Sequence, residues 1–304
     1  MGPTAAGKTD AALRIADLGA VDLVSVDSAM VYRRMDIGTA KPEPEVLRRH
    51  PHALVDILDP NEAYSAARFV ADADEHVRLA LDRGRTPVLV GGTMLYFRAF
   101  KFGLNELPEA DPALRAKIAA RGDELGWPAL HRELDKRDPV AAARIDPNNG
   151  PRIQRALEVL ELTGRPLGSW WDEPSASASK RLGVSLIEVA IMPPERSELH
   201  ARIDHRLSGM LERGLVDEVR ALRADPALSL ELPSMRSVGY RQVWRHLDGE
   251  YGVDEMRQRL AAATRGLARR QLTWLRAWQG LHAQVADADG AAGFLRAKVA
   301  KSGP

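Results

Sequence analysis

Residues 2–9 read Gly2-Pro3-Thr4-Ala5-Ala6-Gly7-Lys8-Thr9, a complete G-x-x-x-x-G-K-[ST] phosphate-binding loop. Each residue type has a physical reason to be there. Gly2 and Gly7 allow a tight backbone turn that aims consecutive N–H groups at an anion. A helix starting after Gly7 adds the positive end of its dipole. Lys8 brings a cation to terminal phosphates, and the Thr9 hydroxyl is a ligand for Mg²⁺. A second chemical group follows at Asp27-Ser28, where an apolar strand, Val21–Val26, runs out. At the carboxyl end of a strand in an open parallel sheet, Asp27 faces the crevice beside the loop, where a carboxylate can take a proton from a nucleophile. The simpler alternative for Asp27 is a turn cap. A third group, Gly91-Gly92-Thr93, ends another apolar strand where a kinase would usually place an acid.

The elements that must hold these groups are legible from periodicity. Apolar residues at helical spacing mark helices over 8–18 and 65–83, and strands are expected at 21–26, 52–58 and 86–90. This alternation predicts an α/β fold, a P-loop NTPase-like parallel sheet flanked by helices. From about 105 the pattern turns purely helical, at 111–125, 127–136, 138–145 and 151–163, with an exposed loop at 175–179. An all-helical insertion domain over 105–183 is therefore expected. It divides a core at 1–104 from a return to the sheet over 184–280, with a strand at 184–192, helices at 195–213, 215–224, 236–247 and 253–279, and a loosely packed tail at 281–304. A P-loop normally hangs from a buried strand, yet only Met1 precedes Gly2 here. A start that falls too late, or a different segment filling that place, are the two expectations, and the first is favoured.

The 304 residues are 45% hydrophobic and 28% charged, ordinary for a globular chain with a sizeable core. No apolar run reaches the length of a membrane span, and with the chain opening in the loop a signal peptide is not expected, so a cytoplasmic location is. There are no cysteines, which excludes disulfides and thiolate-bound zinc. The net charge of +1 conceals basic stripes: six arginines and no acid between Arg257 and Arg276, and a cluster at Arg144, Arg152 and Arg155. Such stripes suit a large polyanion, although arginine-rich helices are often only solvated faces.

Several longer blocks carry a resemblance. Ser25-Val-Asp-Ser-Ala-Met-Val-Tyr32, Met35-Asp-Ile-Gly-Thr-Ala-Lys-Pro42, Gly91-Gly-Thr-Met-Leu-Tyr96, Arg152-Ile-Gln-Arg-Ala-Leu-Glu158 and Ser234-Met-Arg-Ser-Val-Gly-Tyr-Arg-Gln242 join the P-loop in a pattern that resembles bacterial tRNA dimethylallyltransferases (tRNA isopentenyltransferases). It spans roughly Gly2 to Trp278. The resemblance implies transfer of a dimethylallyl group from dimethylallyl diphosphate to N6 of the adenosine 3′-adjacent to the anticodon, in tRNAs reading codons that begin with U. It implies that the loop holds a diphosphate with Mg²⁺ on Thr9, that Lys8 steadies the departing pyrophosphate, and that Asp27 accepts the amine proton. It places Asp27, Ser28, Ala29, Met30, Thr93, Arg115, Pro151, Arg152, Ile153, Gln154 and Arg155 where the family touches tRNA. Arg236 and Arg241 are further candidates for phosphate contact. A monomer is expected.

The chain departs from the family at Asn149-Gly-Pro-Arg152, where Asp-Pro-Gln-Arg is usual, which weakens the contact carried onto Pro151. Three other functions share some of these features. An adenylate isopentenyltransferase would not need the insertion or the basic stripes. A P-loop small-molecule kinase gives the Asp-Ser-Ala-Met block no role. A non-catalytic RNA-binding protein would tolerate loss of Lys8.

Overall fold

A computed structural model describes residues 1–17, 19–105, 107–171 and 176–299. Leu18, expected to end the first helix, and residues 172–175 and 300–304 of the expected loop and tail lie outside the described residues. In chain order the elements are α1 (Lys8–Ala16), β1 (Val21–Val26), α2 (Pro44–Arg49), β2 (His52–Ala53), α3 (Ala66–Asp82), β3 (Thr86–Gly91), α4 (Met94–Phe102), α5 (Pro112–Leu125), α6 (Trp127–Arg137), α7 (Pro139–Ala142), α8 (Gly150–Thr163), α9 (Leu167–Trp170), α10 (Ala178–Leu182), β4 (Val189–Ile191), α11 (Arg196–Glu212), α12 (Leu215–Arg223), α13 (Tyr240–Leu247), α14 (Val253–Arg276), β5 (Ala283–Val285) and α15 (Ala288–Val299). They divide into two compact units: Met1–Lys101 with the described residues from Ser177 onward, and Phe102–Ala176.

The first unit is α/β. β1 lies between β2 and β3 with all three parallel, and β4 and β5 form a separate parallel pair. The six-residue register Val21↔Thr86 to Val26↔Gly91 brings the carboxyl ends of β1 and β3 level, so Asp27 and Gly92-Thr93 emerge side by side. Beside β4 the Met1 amine donates to the Val189 carbonyl at 2.8 Å and Ile191 N–H donates to Met1 O at 2.9 Å, the pairing of a parallel bridge. Gly2 sits next, packed against the Ile191 carbonyl, in the place from which the loop departs.

Three sequence expectations need correcting. The strand expected over 52–58 is cut to His52–Ala53, because Leu54 (φ 65°) and Asp56 (φ 56°) leave the extended region; Leu58 then makes a single parallel bridge to Tyr32. The stretch at 281–304, expected as a loose tail, carries β5 and α15, and α15 packs Ala291 into a core with Ala6, Ala11 and Ile191. Its alanines and Gly290 and Gly293 give little amphipathic contrast, which hides it in the sequence. In the loop expected at 175–179, Ser177 caps α10 through the Lys180 N–H and Ala178 is fully buried. Arg181 on α10 then pairs with the buried Asp74 on α3 at 2.7 Å, which assigns 177–183 to the first unit.

The second unit is helical, with its own core of Ile118, Leu130, Leu134, Ile153, Leu157 and Val159 among others. Asp111, Asp138 and Asn149 cap α5, α7 and α8 by accepting backbone N–H bonds, each from a residue three positions on.

Candidate active site

The loop before α1 takes the shape its sequence asks for. Gly7, at φ 83°, is in the left-handed region as the N-cap, and Ala5 also has positive φ at 61°. A residue with a Cβ at Gly7 would be strained by its backbone angle, so the glycine is required there. Lys8 Nζ donates to the Pro3 carbonyl at 2.6 Å, folding its side chain back over the loop. Burial, with the nearby Arg206 cation, pushes the Lys8 pKa down to about 8, while Asp27 pulls against this shift.

Thr4, Lys8 and Thr9 line a cleft of about 540 Å³ together with Ser25, Asp27, Ser28, Ala29, Met30, Gly92 and Thr93. Asp27 serves partly as the turn cap that the sequence also allowed. Its Oδ1 accepts from Ala29 N at 2.9 Å and Met30 N at 3.3 Å, whereas Oδ2 has no hydrogen-bond partner among the described residues. One carboxylate oxygen therefore fixes the side chain, and the other keeps a hydrogen-bonding capacity that the described residues leave unused. Thr93 is tied to the same corner. Its backbone N–H donates to Val26 O at 3.1 Å, and its Oγ1 accepts from Ser28 N at 3.0 Å.

The fold adds one cation that motif reading did not single out. Arg206 on α11 lines the cleft, and its one hydrogen bond among the described residues is a long one, 3.5 Å, to the Thr39 carbonyl. It makes no salt bridge there. Burial pushes its pKa down from the ordinary arginine value, Asp27 counteracts this, and Arg213 adds to it. Two buried cations whose pKa values are both lowered chiefly by burial, with Asp27 the carboxylate acting on both, make a site whose charge an anionic ligand would complete. The signal for Arg206 was present in the sequence. Leu199, Ile203, Leu207 and Met210 form the buried stripe of α11, and position 206 falls on that stripe.

The wall carrying Thr39 is held from outside. Glu218 on α12 accepts three successive backbone N–H groups, from Asp36 at 2.9 Å, Ile37 at 2.7 Å and Gly38 at 3.0 Å, and the Tyr240 hydroxyl at 2.7 Å. Lys41, its side chain 4% exposed, is paired with both Asp36 and Asp56 and donates to Tyr32 O. An apolar part of the cleft is formed by Ile203, Leu207, Met210, Leu260, Leu267 and Trp274.

The arginine stripe on α14 proves mixed. Arg259 pairs with Glu255 and Arg265 with Asp204, Arg257, Arg269 and Arg276 are exposed, and Arg270 lines the cleft. Arg236 also lines the cleft and pairs with Glu231, whereas Arg241 is not among the lining residues.

The remaining candidates belong to the second unit. Arg115 Nε and Nη2 reach the fully buried Glu158 at 2.9 and 3.1 Å, and Arg155 Nη1 reaches the same carboxylate at 2.5 Å. Burial pushes the Glu158 carboxyl up, but the Arg115 and Arg155 hydrogen bonds outweigh it and hold the pKa below the usual range. Gln154 donates to the Arg115 carbonyl at 2.8 Å. Pro151 and Arg152 are exposed on the first turn of α8. Ile153 is a correction: with no exposed surface it belongs to the core of the unit and its side chain offers nothing to a partner.

Among the described residues no group of three or more His, Asp or Glu side chains is arranged to hold a metal, and no helix is long and apolar enough to cross a membrane. Hydroxyl and phosphate oxygens suit a hard cation such as Mg²⁺, which commonly takes one or two protein ligands and fills the rest of its shell from phosphates and water. Thr9, lining the cleft one residue beyond Lys8, fits that pattern.

Residues 30–278 match the family described as IPP transferase. A tRNA dimethylallyltransferase of Alkalilimnicola ehrlichii is 54% identical over 283 residues, covering 93% of this chain and 88% of the relative. A tRNA dimethylallyltransferase 2 of Hahella chejuensis is 50% identical over 94% of this chain and 90% of the relative. The crystal structure of a tRNA isopentenylpyrophosphate transferase from Bacillus halodurans superposes with a TM-score of 0.69 at 35% identity, over 99% of this chain and 95% of that one.

Proposed function

The chain belongs to the IPP transferase family, and on that premise we propose that it prenylates tRNA, moving a dimethylallyl group from dimethylallyl diphosphate to N6 of the adenosine 3′-adjacent to the anticodon. The observation that carries the proposal is the pairing, in one cleft, of two cations with no salt-bridge partner among the described residues, Lys8 and Arg206, with a carboxylate, Asp27, one of whose oxygens those residues leave unengaged.

In the proposed step the allylic C–O bond breaks, a C–N bond forms to the adenine amine, and the amine proton passes to Asp27 Oδ2. Lys8, Arg206 and the loop N–H groups stabilise the negative charge that gathers on the leaving pyrophosphate. Thr9 would hold Mg²⁺, which supplies further charge neutralisation to the phosphates when bound. Thr93 and Ser28 hold the acceptor side of the cleft, and the apolar wall shields the five-carbon group from water. The target base must leave its stack to reach such a cleft. Arg115, Arg152 and Arg155 are proposed to contact the tRNA backbone, with Arg155 held by Glu158 and the Pro108 carbonyl and the Arg115 side chain the more exposed of the two.

The test is mass spectrometry of unmodified tRNA after incubation with the protein, Mg²⁺ and dimethylallyl diphosphate. A gain of one C5H8 unit on that adenosine is the expected result. A gain on free AMP in place of tRNA would replace the tRNA reading with the adenylate one, and no gain on either would overturn both.

A further inference from the structure

Two polar residues, Thr264 and Gln271, lie on the buried face of α14 beside Met256, Leu260, Ala268 and Leu275, and whereas the Thr264 hydroxyl donates within the helix to Leu260 O, Gln271 reaches out of it. Both ends of its amide are engaged. Oε1 accepts the Thr4 N–H of the phosphate loop at 2.8 Å, and Nε2 donates to the Gly92 carbonyl at the end of β3, also at 2.8 Å. An N–H on one side and a carbonyl on the other fix which way the amide points. A Cβ built on Gly92 would stand 2.5 Å from Gln271 Nε2, so glycine at 92 is what lets the bridge form. Gly92 precedes Thr93, which holds Ser28, and Ser28 follows Asp27. A chain of contacts therefore runs from the diphosphate loop through Gln271 to the strand ends that carry the acceptor chemistry.

We infer that Gln271 is a positioning residue that sets the separation between the diphosphate held by the loop and the amine presented at Asp27 and Thr93. The inference rests on the prenyl-transfer reading above. Gln271 spends the Thr4 N–H on the scaffold, so that group anchors the loop and does not hold a phosphate. Displacement of a reacting group by about 1 Å can cost on the order of 10²-fold in turnover without a matching loss of binding. Gln271 should therefore act on kcat and leave both substrates bound.

The test compares the wild type with Gln271→Ala, the volume-preserving Gln271→Met, Gly92→Ala and the double variant Gly92→Ala/Gln271→Ala. Prenyl transfer, thermal unfolding and hydrogen exchange of the Thr4 amide are followed in each. The expected result for Gln271→Met is a folded protein with faster exchange at Thr4, kcat reduced about 10- to 100-fold, and KM for dimethylallyl diphosphate and tRNA within about threefold of wild type. Gly92→Ala should reproduce the kcat loss by pushing the amide aside. The double variant should lose no more than the worse single one, because both changes remove the same bridge. A folded Gln271→Met with wild-type kcat, a loss carried wholly by KM for the diphosphate, or single losses that multiply in the double variant would each overturn the role. Absence of transfer by the wild type would instead remove the prenyl-transfer reading and this role with it.

Discussion

Arginine and lysine are used in opposite ways in the two units. In the cleft of the first, Lys8 and Arg206 face each other's charge with no salt bridge among the described residues, and both pKa values are depressed by burial. In the second, Arg115 and Arg155 share a buried carboxylate, Glu158, which receives three guanidinium hydrogen bonds and the Asp111 N–H. Arg144 is likewise settled over the Trp171 ring, 4.7 Å from its centroid. The contrast teaches that similar charge can be held in two ways: in the first site the cations keep no ion-pair partner among the described residues, whereas in the second one carboxylate pins both arginines in place. The first should respond steeply to ligand charge and pH, and the second to loss of its anchor.

The largest expected effect bears on what the cleft cations serve. Asp27→Asn should lower single-turnover prenyl transfer by about 10²–10⁴-fold with tRNA affinity little changed, since it removes a base and not a binding cation; a loss of tRNA binding of the same size would break the distinction. Glu158→Ala tests the other side. Stranding two arginines around a vacated buried site should cost about 3 kcal/mol, read as a drop in thermal stability of the second unit, with pyrophosphate binding by the first unit retained. Lys8→Ala and Arg206→Ala should each weaken binding of inorganic pyrophosphate by about 1.5–3 kcal/mol, or about 10- to 150-fold, measured by calorimetry, with no loss of folding.

The smallest effect is the sharpest in sign. With the Lys8 pKa at about 8, the lysine is cationic below that pH and loses its proton above it in the empty cleft. A bound anion favours the charged form, so binding above pH 8 requires proton uptake. Corrected for the ionisation of pyrophosphate itself, its affinity should be flat at pH values below about 7.5 and fall by up to about tenfold per unit above about 8. Arg206→Ala should move the break upward, because Arg206 is one cause of the depression, and Lys8→Ala should abolish it. A flat profile to pH 9.5 in the wild type would show that Lys8 does not meet the ligand.

The cleft was largely legible in the sequence because its parts are contiguous blocks. The loop at 2–9, the strand end at Asp27 and the strand end at Thr93 each announce themselves within a few residues, and the β1–β3 register brings them level. Arg206 and Gln271 were harder because each is one polar residue in a long helix with many others. What marks them is position on an apolar stripe: 199, 203, 206, 210 on α11 and 264, 268, 271, 275 on α14. A polar residue there must find partners inside the protein. The Glu158 anchor lies at the end of the Arg152–Glu158 block, where nothing local says that a carboxylate turns inward to receive two arginines. β5 and α15 were missed for lack of contrast, and Ile153 was misplaced because a motif fixes residue types without fixing which helix face they occupy.

The Thr4–Gln271 bond joins positions 267 residues apart, and the Glu218 clamp closes loops of about 180 residues onto the 36–38 backbone. During synthesis the phosphate loop leaves the ribosome well ahead of Arg206, Glu218 and Gln271, which lie about 200 to 270 residues behind it. Long-range closures of this kind form late and slowly. A nascent chain that stops short of α14 therefore displays an intact phosphate-loop sequence without the scaffold that shapes it, and that scaffold is complete only once α14 has been made.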